Sequence, residues 1–214
     1  MYKLDYFTEK DEERVIAFMK DNPFAIITAI GEKYPVASHI PLDIISENGK
    51  MFFEGHIMRN TDHHKAFENN ENVLVIFNGP HCFVSASWYI GVPSASTWNY
   101  MTVHAKGKIS FLDGEGTMRM IRSITDKYEG KESSAAFDNL DPEYINRLVK
   151  AIVGFRIEVE SMDNVFKLSQ NHEEETRQSI MKHLEEREEY GDSRKIAFEM
   201  KKSKSVKNNT PDNP

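Results

Sequence analysis

Between Asn78 and Gly107 the chain gathers the side chains best able to recognise a flat ligand. Trp88, Tyr89, Trp98 and Tyr100 are interleaved with Ser85, Ser87, Asn99, Thr102 and His104. Aromatic faces around a few convergent polar groups suit a heterocyclic ligand, but the same residues fill the core of a small barrel equally well. Both readings stand on this stretch alone. Cys82, the only cysteine, reads as a small buried strand residue rather than a reactive thiol, and one cysteine can form neither an intramolecular disulfide nor a cysteine metal cluster. His63 and His64 are adjacent, and neighbours on a helix diverge by about 100°, so they are not expected to ligate one metal ion with His56. No metal is assigned.

Several familiar signatures of other chemistry are missing. The chain has no Gly-x-Gly-x-x-Gly, no phosphate loop ending Gly-Lys-Ser/Thr, no His-Glu-x-x-His and no Gly-x-Ser-x-Gly. Ser85 and Ser87 have no base nearby in sequence, so a hydrolase reading lacks a nucleophile.

The elements that must position these residues follow from periodicity and punctuation. Thr8 with Glu9, Asp11 and Glu12 reads as a helix cap and acidic first turn, ended by Asn22-Pro23. Phe24 to Ile30 reads as a buried strand, and Tyr34 to Leu42 as a second, which Pro41 must end, bulge or hold at a sheet edge. Asn48-Gly49 sets a hairpin joining Leu42–Ile45 to Lys50–Ile57. Thr61-Asp62 caps a short helix through Asn69, and Val73 to Phe77 is a compact strand. Two more strands come from 78–112, around a turn at Gly91-Val92-Pro93 and with a bulge at Lys106-Gly107. Met118, Ile121, Ile124 and Tyr128 then repeat at helical spacing, Asp141-Pro142 opens a further helix, and Ala151 to Val159 returns to strand alternation. A charged helix spans Glu173 to about Glu189, and Ser193–Met200 adds a turn or two. Hairpin-linked strands argue for an antiparallel barrel or sandwich over a parallel sheet.

With 214 residues, 39% hydrophobic and 29% charged, the chain suits one domain, drawn at residues 1–200, followed by a polar, disordered tail at 201–214. A net charge of −7 disfavours a broad nucleic-acid surface. No apolar run approaches membrane-span length and the N-terminus is unlike a signal peptide, so a soluble cytoplasmic protein is expected.

Several segments together resemble the PaiB family of the FMN-binding split-barrel superfamily. They are Met-Tyr at the N-terminus, Ser-His-Ile-Pro-Leu at 38–42, Gly-His-Ile at 55–57, Phe-Asn-Gly-Pro-His at 77–81, Val-Ser-Ala-Ser-Trp-Tyr at 84–89, Thr-Trp-Asn-Tyr at 97–100, Val-His-Ala-Lys-Gly at 103–107 and Lys-Leu-Ser-Gln-Asn at 167–171. The resemblance implies a mainly β (α+β) fold, a six-stranded antiparallel split β-barrel with flanking helices. It further implies a homodimer with FMN in a groove at the subunit interface. Carried over by position, Ser38, His39, Ile40 and Pro41 border the isoalloxazine ring, and Gly55, His56 and Ile57 continue that wall. Arg59 and Lys65 meet the phosphate, Trp98 and Asn99 approach from a facing strand or the partner, and Lys167, Gln170 and Asn171 close the site. A capped loop before the acidic helix is the alternative for this last group.

Two departures from the family pattern stand out. Thr61-Asp62 replaces the usual Asn-Pro, placing a carboxylate near the phosphate contacts unless it serves the helix. Ser96 replaces the Pro before Thr-Trp-Asn-Tyr. If the protein turns over, flavin-mediated hydride or electron transfer is the expected reaction; no side chain stands out as its acid or base. The alternatives are a non-catalytic regulator acting through DNA or a protein partner, with Lys201, Lys202, Lys204 and Lys207 as the candidate DNA contacts, and a haem-binding barrel ligated by His172 or His81.

Overall fold

Proline has no N–H to donate to a sheet ladder, and Pro41 is the last residue of its strand. In the computed structural model, which describes residues 4–91, 94–187 and 191–205, that break divides 36–47 into two strands with different neighbours. The order is α1 (Glu12–Asp21), β1 (Phe24–Ala29), β2 (Val36–Pro41), β3 (Asp43–Glu47), β4 (Lys50–Met58), α2 (Asp62–Asn69), β5 (Asn72–Val84), β6 (Thr97–Phe111), α3 (Gly114–Glu129), α4 (Pro142–Ala151), β7 (Ile152–Lys167), α5 (Glu174–Glu186) and α6 (Ser193–Lys202). Seven strands therefore form the sheet, not six, in the order β2-β1-β5-β6-β7-β4-β3. The pairs β1–β2, β1–β5, β3–β4 and β4–β7 are antiparallel.

The chain divides into two compact units, one of Met19–Phe77 and His104–Met162, the other of Met1–Phe18, Asn78–Val103 and Asp163–Pro214. The first contains part of every strand. In it β2 and β3, the outermost strands of the order, are joined by Leu42 alone. Two edges linked by one residue can coexist only if the sheet rolls until they meet. Gly55 of β4 lies at that closure, where a Cβ would stand 2.9 Å from Leu42 Cδ2, 3.0 Å from Phe155 Cζ and 3.3 Å from Ile40 Cγ2. Phe53 and Phe77 meet edge to face inside, with centroids 5.2 Å apart, among buried Ile27, Val75 and Ile157. Burying each such side chain contributes roughly 1.5–3 kcal/mol. At Gly107 the expected bulge gives way to unbroken strand, because a Cβ there would stand 2.2 Å from Glu158 O: the glycine permits close strand approach.

In the second unit α5 and α6 pack together, and Phe18 of α1 lies against Gly79 of β5, where a Cβ would come within 2.3 Å of its ring. Asp11, not Thr8, caps α1, because its carboxylate accepts from the N–H groups of Glu13 (3.1 Å) and Arg14 (3.3 Å). The strand expected to run up to the turn at Gly91, carrying Ser85 and Ser87, ends at Val84. Ser85 Oγ accepts from Ser87 N and caps a 3-10 turn, Ala86–Trp88. Trp88 and Tyr89 are thus turn residues packed on histidines, Trp88 parallel to His183 at 5.1 Å and 8°, Tyr89 against His172 at 4.6 Å. Helix α6 runs to Lys202, further than Met200. Helix α5 ends at Glu186, earlier than the expected Glu189. Met1, Tyr2, Val92, Pro93, residues 188–190 and the tail from Val206 to Pro214 lie outside the described residues. Among the described residues no helix is long and apolar enough to cross a membrane.

Candidate functional site

In the barrel unit the candidate residues surround the passage from β4 into α2. Asn60 adopts a left-handed backbone (φ 63°), which turns the chain sharply after Arg59. Thr61 then caps α2, accepting from His64 N at 3.3 Å and donating to Met58 O at 3.0 Å. Asp62 Oδ1 accepts from His63 N at 3.0 Å, so the carboxylate that departs from the family pattern serves its own helix. Arg59 and Lys65 flank this turn, both exposed, and among the described residues neither is paired with a carboxylate. Two such cations could hold a phosphate through their side chains without the already occupied first-turn amides.

The wall residues divide by face. Ser38 Oγ lies 2.9 Å from Nε2 and 3.1 Å from Nδ1 of His63, tying β2 to α2. His39 is exposed with its ring 6.0 Å from Phe24, while Ile40 and Ile57 are buried in the barrel with Gly55. Pro41 pairs with Phe24 at the strand end. His56 sits opposite Gly154 of β7, against which Thr117 of α3 packs. Its Nδ1 is buried without a hydrogen-bond partner, and burial pushes its pKa below the usual histidine value.

In the other unit Trp98 is half exposed, its ring 6.2 Å from both His81 and Phe83. Asn99 is fully buried: its Nδ2 donates to Ser169 Oγ at 2.9 Å and lies 3.7 Å from Met200 Sδ. Gln170 closes its own turn, accepting from Leu168 N at 2.7 Å and donating to Phe166 O at 2.5 Å. Lys167 Nζ donates to Thr97 Oγ1 at 2.6 Å beside the Phe7 ring, and burial lowers its pKa. Asn171 is partly exposed. The polar groups of Asn99 and Gln170 are therefore committed to internal bonds, while Trp98 and Asn171 keep some exposure to solvent. His172 packs on Tyr89, and His81 Nδ1 faces Gly79 O at 3.4 Å.

Two residues escaped the sequence reading. His63 was weighed only as a metal ligand, yet it is the partner of Ser38, a tertiary pairing with no local signature. Arg177 is 1% exposed; it donates to Leu168 O (2.9 Å), Met200 O (2.8 Å) and Ser203 O (2.9 Å), and burial lowers its pKa against the pull of Glu174. A signal did exist, since Arg177 falls on the same helical stripe as buried Thr176, Ile180, Met181 and Leu184. Among the described residues no group of three histidine, cysteine or acidic side chains converges as a metal site.

The barrel with flanking helices and the cationic turn after β4 are matched by a family model described as "Putative FMN-binding domain", over residues 1–161. The chain belongs to this family. Its PaiB-like character is carried by the protease synthase and sporulation protein PAI 2 of Bacillus subtilis, 32% identical over 189 residues, covering 88% of this chain and 91% of that one. Among solved structures it is similar to the FAD and haem binding protein of Mycobacterium smegmatis, with a TM-score of 0.58, 12% identity and coverage of 75% of this chain and 73% of that one. The flavocytochrome Anf3 of Azotobacter vinelandii gives a TM-score of 0.59, 14% identity and coverage of 78% and 72%. What these two share with the chain is the split-barrel fold.

Proposed function

We propose that this protein binds FMN, with Arg59 and Lys65 holding the phosphate, and works as a homodimer. The observation that carries the reading is the family match over residues 1–161, which spans Ser38–Pro41, Gly55–Ile57, Arg59 and Lys65. The chemistry of the donor set fits: two unpaired exposed cations suit a phosphate dianion, and the neighbouring carboxylate of Asp62 is engaged by His63 N. When bound, the flavin supplies hydride and one-electron chemistry. The chain's part is to anchor the phosphate and to keep β2 and α2 together through Ser38 and His63. Absorbance of the purified protein, followed by titration with FMN, tests this. Flavin bands or saturable binding are expected; neither in the full chain overturns the reading.

A second reading, a regulator that acts through a partner without turnover, is favoured by the kinship to PAI 2. Direct DNA contact is its weaker form, because Lys201 pairs with Glu185 and Lys202 lies 2.7 Å from Glu199. Retention on DNA that falls steeply with salt would support that form, and no retention at low salt would remove it.

A further inference from the structure

We propose that α6 is a strap whose docking sets the conformation of the loop from Leu168 to His172. Ser169 in that loop has a left-handed backbone (φ 58°), which a non-glycine residue keeps only when its surroundings impose it. Three ties from the C-terminal segment impose it. The Arg177 guanidinium bridges Leu168 O of the loop to Met200 O and Ser203 O at the end of α6. Met200 Sδ backs the Asn99 amide that bonds Ser169 Oγ. Ser205 Oγ donates to His172 O at 2.9 Å. The guanidinium also places a cation at the C-terminal end of α6, where Met200 O accepts from Ser203 N and Oγ as well, so one side chain reaches the helix end and the loop together. Lifting α6 would take from the Arg177 guanidinium, which α5 holds beside Leu168 O, its Met200 and Ser203 acceptors, and from the Asn99–Ser169 pair its Met200 backing. Local opening of the helix and rearrangement of the loop are therefore one event.

The consequence for cofactor rests on the FMN reading: Asn171, between Ser169 and His172 in that loop, holds its place only while α6 is docked. Hydrogen exchange of the full-length protein, followed by mass spectrometry, tests the strap. Lys201→Gly weakens an exposed position of α6, and Arg177→Met removes the bridge while keeping an apolar stem. Lys201→Gly is expected to raise exchange across 194–203 about fivefold, and to raise exchange across 166–172 by a similar factor. Arg177→Met is expected to exceed it in both segments. Faster exchange in 194–203 with 166–172 unchanged overturns the proposal. In parallel FMN titrations, weaker binding by both variants supports the link to the cofactor, and unchanged binding beside a loosened loop overturns that link alone. Failure of the wild type to bind FMN removes the cofactor reading and leaves the exchange result to decide the strap.

Discussion

Arg59 and Lys65 project from a turn whose backbone donors Thr61 and Asp62 have already engaged. A phosphate there depends on side-chain charge, and each charge-assisted contact contributes about 1.5–3 kcal/mol. Arg59→Ala or Lys65→Ala is therefore expected to weaken FMN about tenfold or more while leaving riboflavin, which lacks the phosphate, nearly unchanged. Isothermal titration with both flavins distinguishes the two. His56 carries a pH prediction. Burial lowers its folded pKa below the unfolded value near 6.5, so the unfolded chain binds more protons between those two values. The contribution of this residue is fully present above about pH 6.5 and is lost as pH falls toward the folded pKa. In His56→Leu, urea midpoints should fall less between pH 7 and 5 than in the wild type. Cys82 is pushed up to about 12, by burial first, with Arg187 opposing and Asp192 adding to the rise. Its thiol should ignore Ellman's reagent at pH 8 in the native protein and react once unfolded.

At the scale of elements, a glycine and a buried cation carry the clearest costs. Gly107→Ala would drive a Cβ into the backbone of β7, and overpacking of this kind costs about 1–3 kcal/mol, readable as a lower urea midpoint. Arg177→Met removes the donor to Leu168 O of the loop and to Ser203 O after α6, each worth about 1–3 kcal/mol when left unsatisfied, and should destabilise more. Elements with strong periodicity were legible: the Asn48-Gly49 hairpin, the Asp141-Pro142 helix start and the strand at 24–29 all stand where local chemistry puts them. In β5 the first part, Val73 to Phe77, was legible, but its unbroken continuation to Val84 was not, because Asn78-Gly79-Pro80 has the residue types of a turn. The structure tolerates it: β1 pairs with β5 only at 74–76, so Pro80 lies beyond that ladder, and Gly79 makes room for Phe18. The candidate site was legible to the extent that its residues have sequence-local company. Ser38 with His63, and Arg177 with Ser203, are brought together only by tertiary packing.

For the whole molecule, the outward face of β1 is partly open to solvent. Phe24 is 62% exposed, and Ile26 stands opposite Ile76, with Thr28 opposite Leu74. In the homodimer proposed above, this face is the candidate for the contact with the second copy. Sedimentation should give twice the chain mass for the wild type and a shift to monomer in Ile26→Asp, since an unpaired buried carboxylate disfavours association. A single mass of about one chain in the wild type would overturn it.

Leu42 finally imposes a rule about chain length. Ile40, Leu42 and Ile44 keep one alternation through the closure, with Ile44 opposite Phe53 inside the barrel. Because side chains alternate along a strand, one residue inserted beside Leu42 would send every β3 side chain to the opposite face, and no slack exists to absorb it. An insertion scan should therefore show near-complete intolerance at positions 41–43 and tolerance at Asn48-Gly49, where the hairpin tip is open to solvent. The closure thus acts as a reading frame for the barrel, fixing parity as well as position.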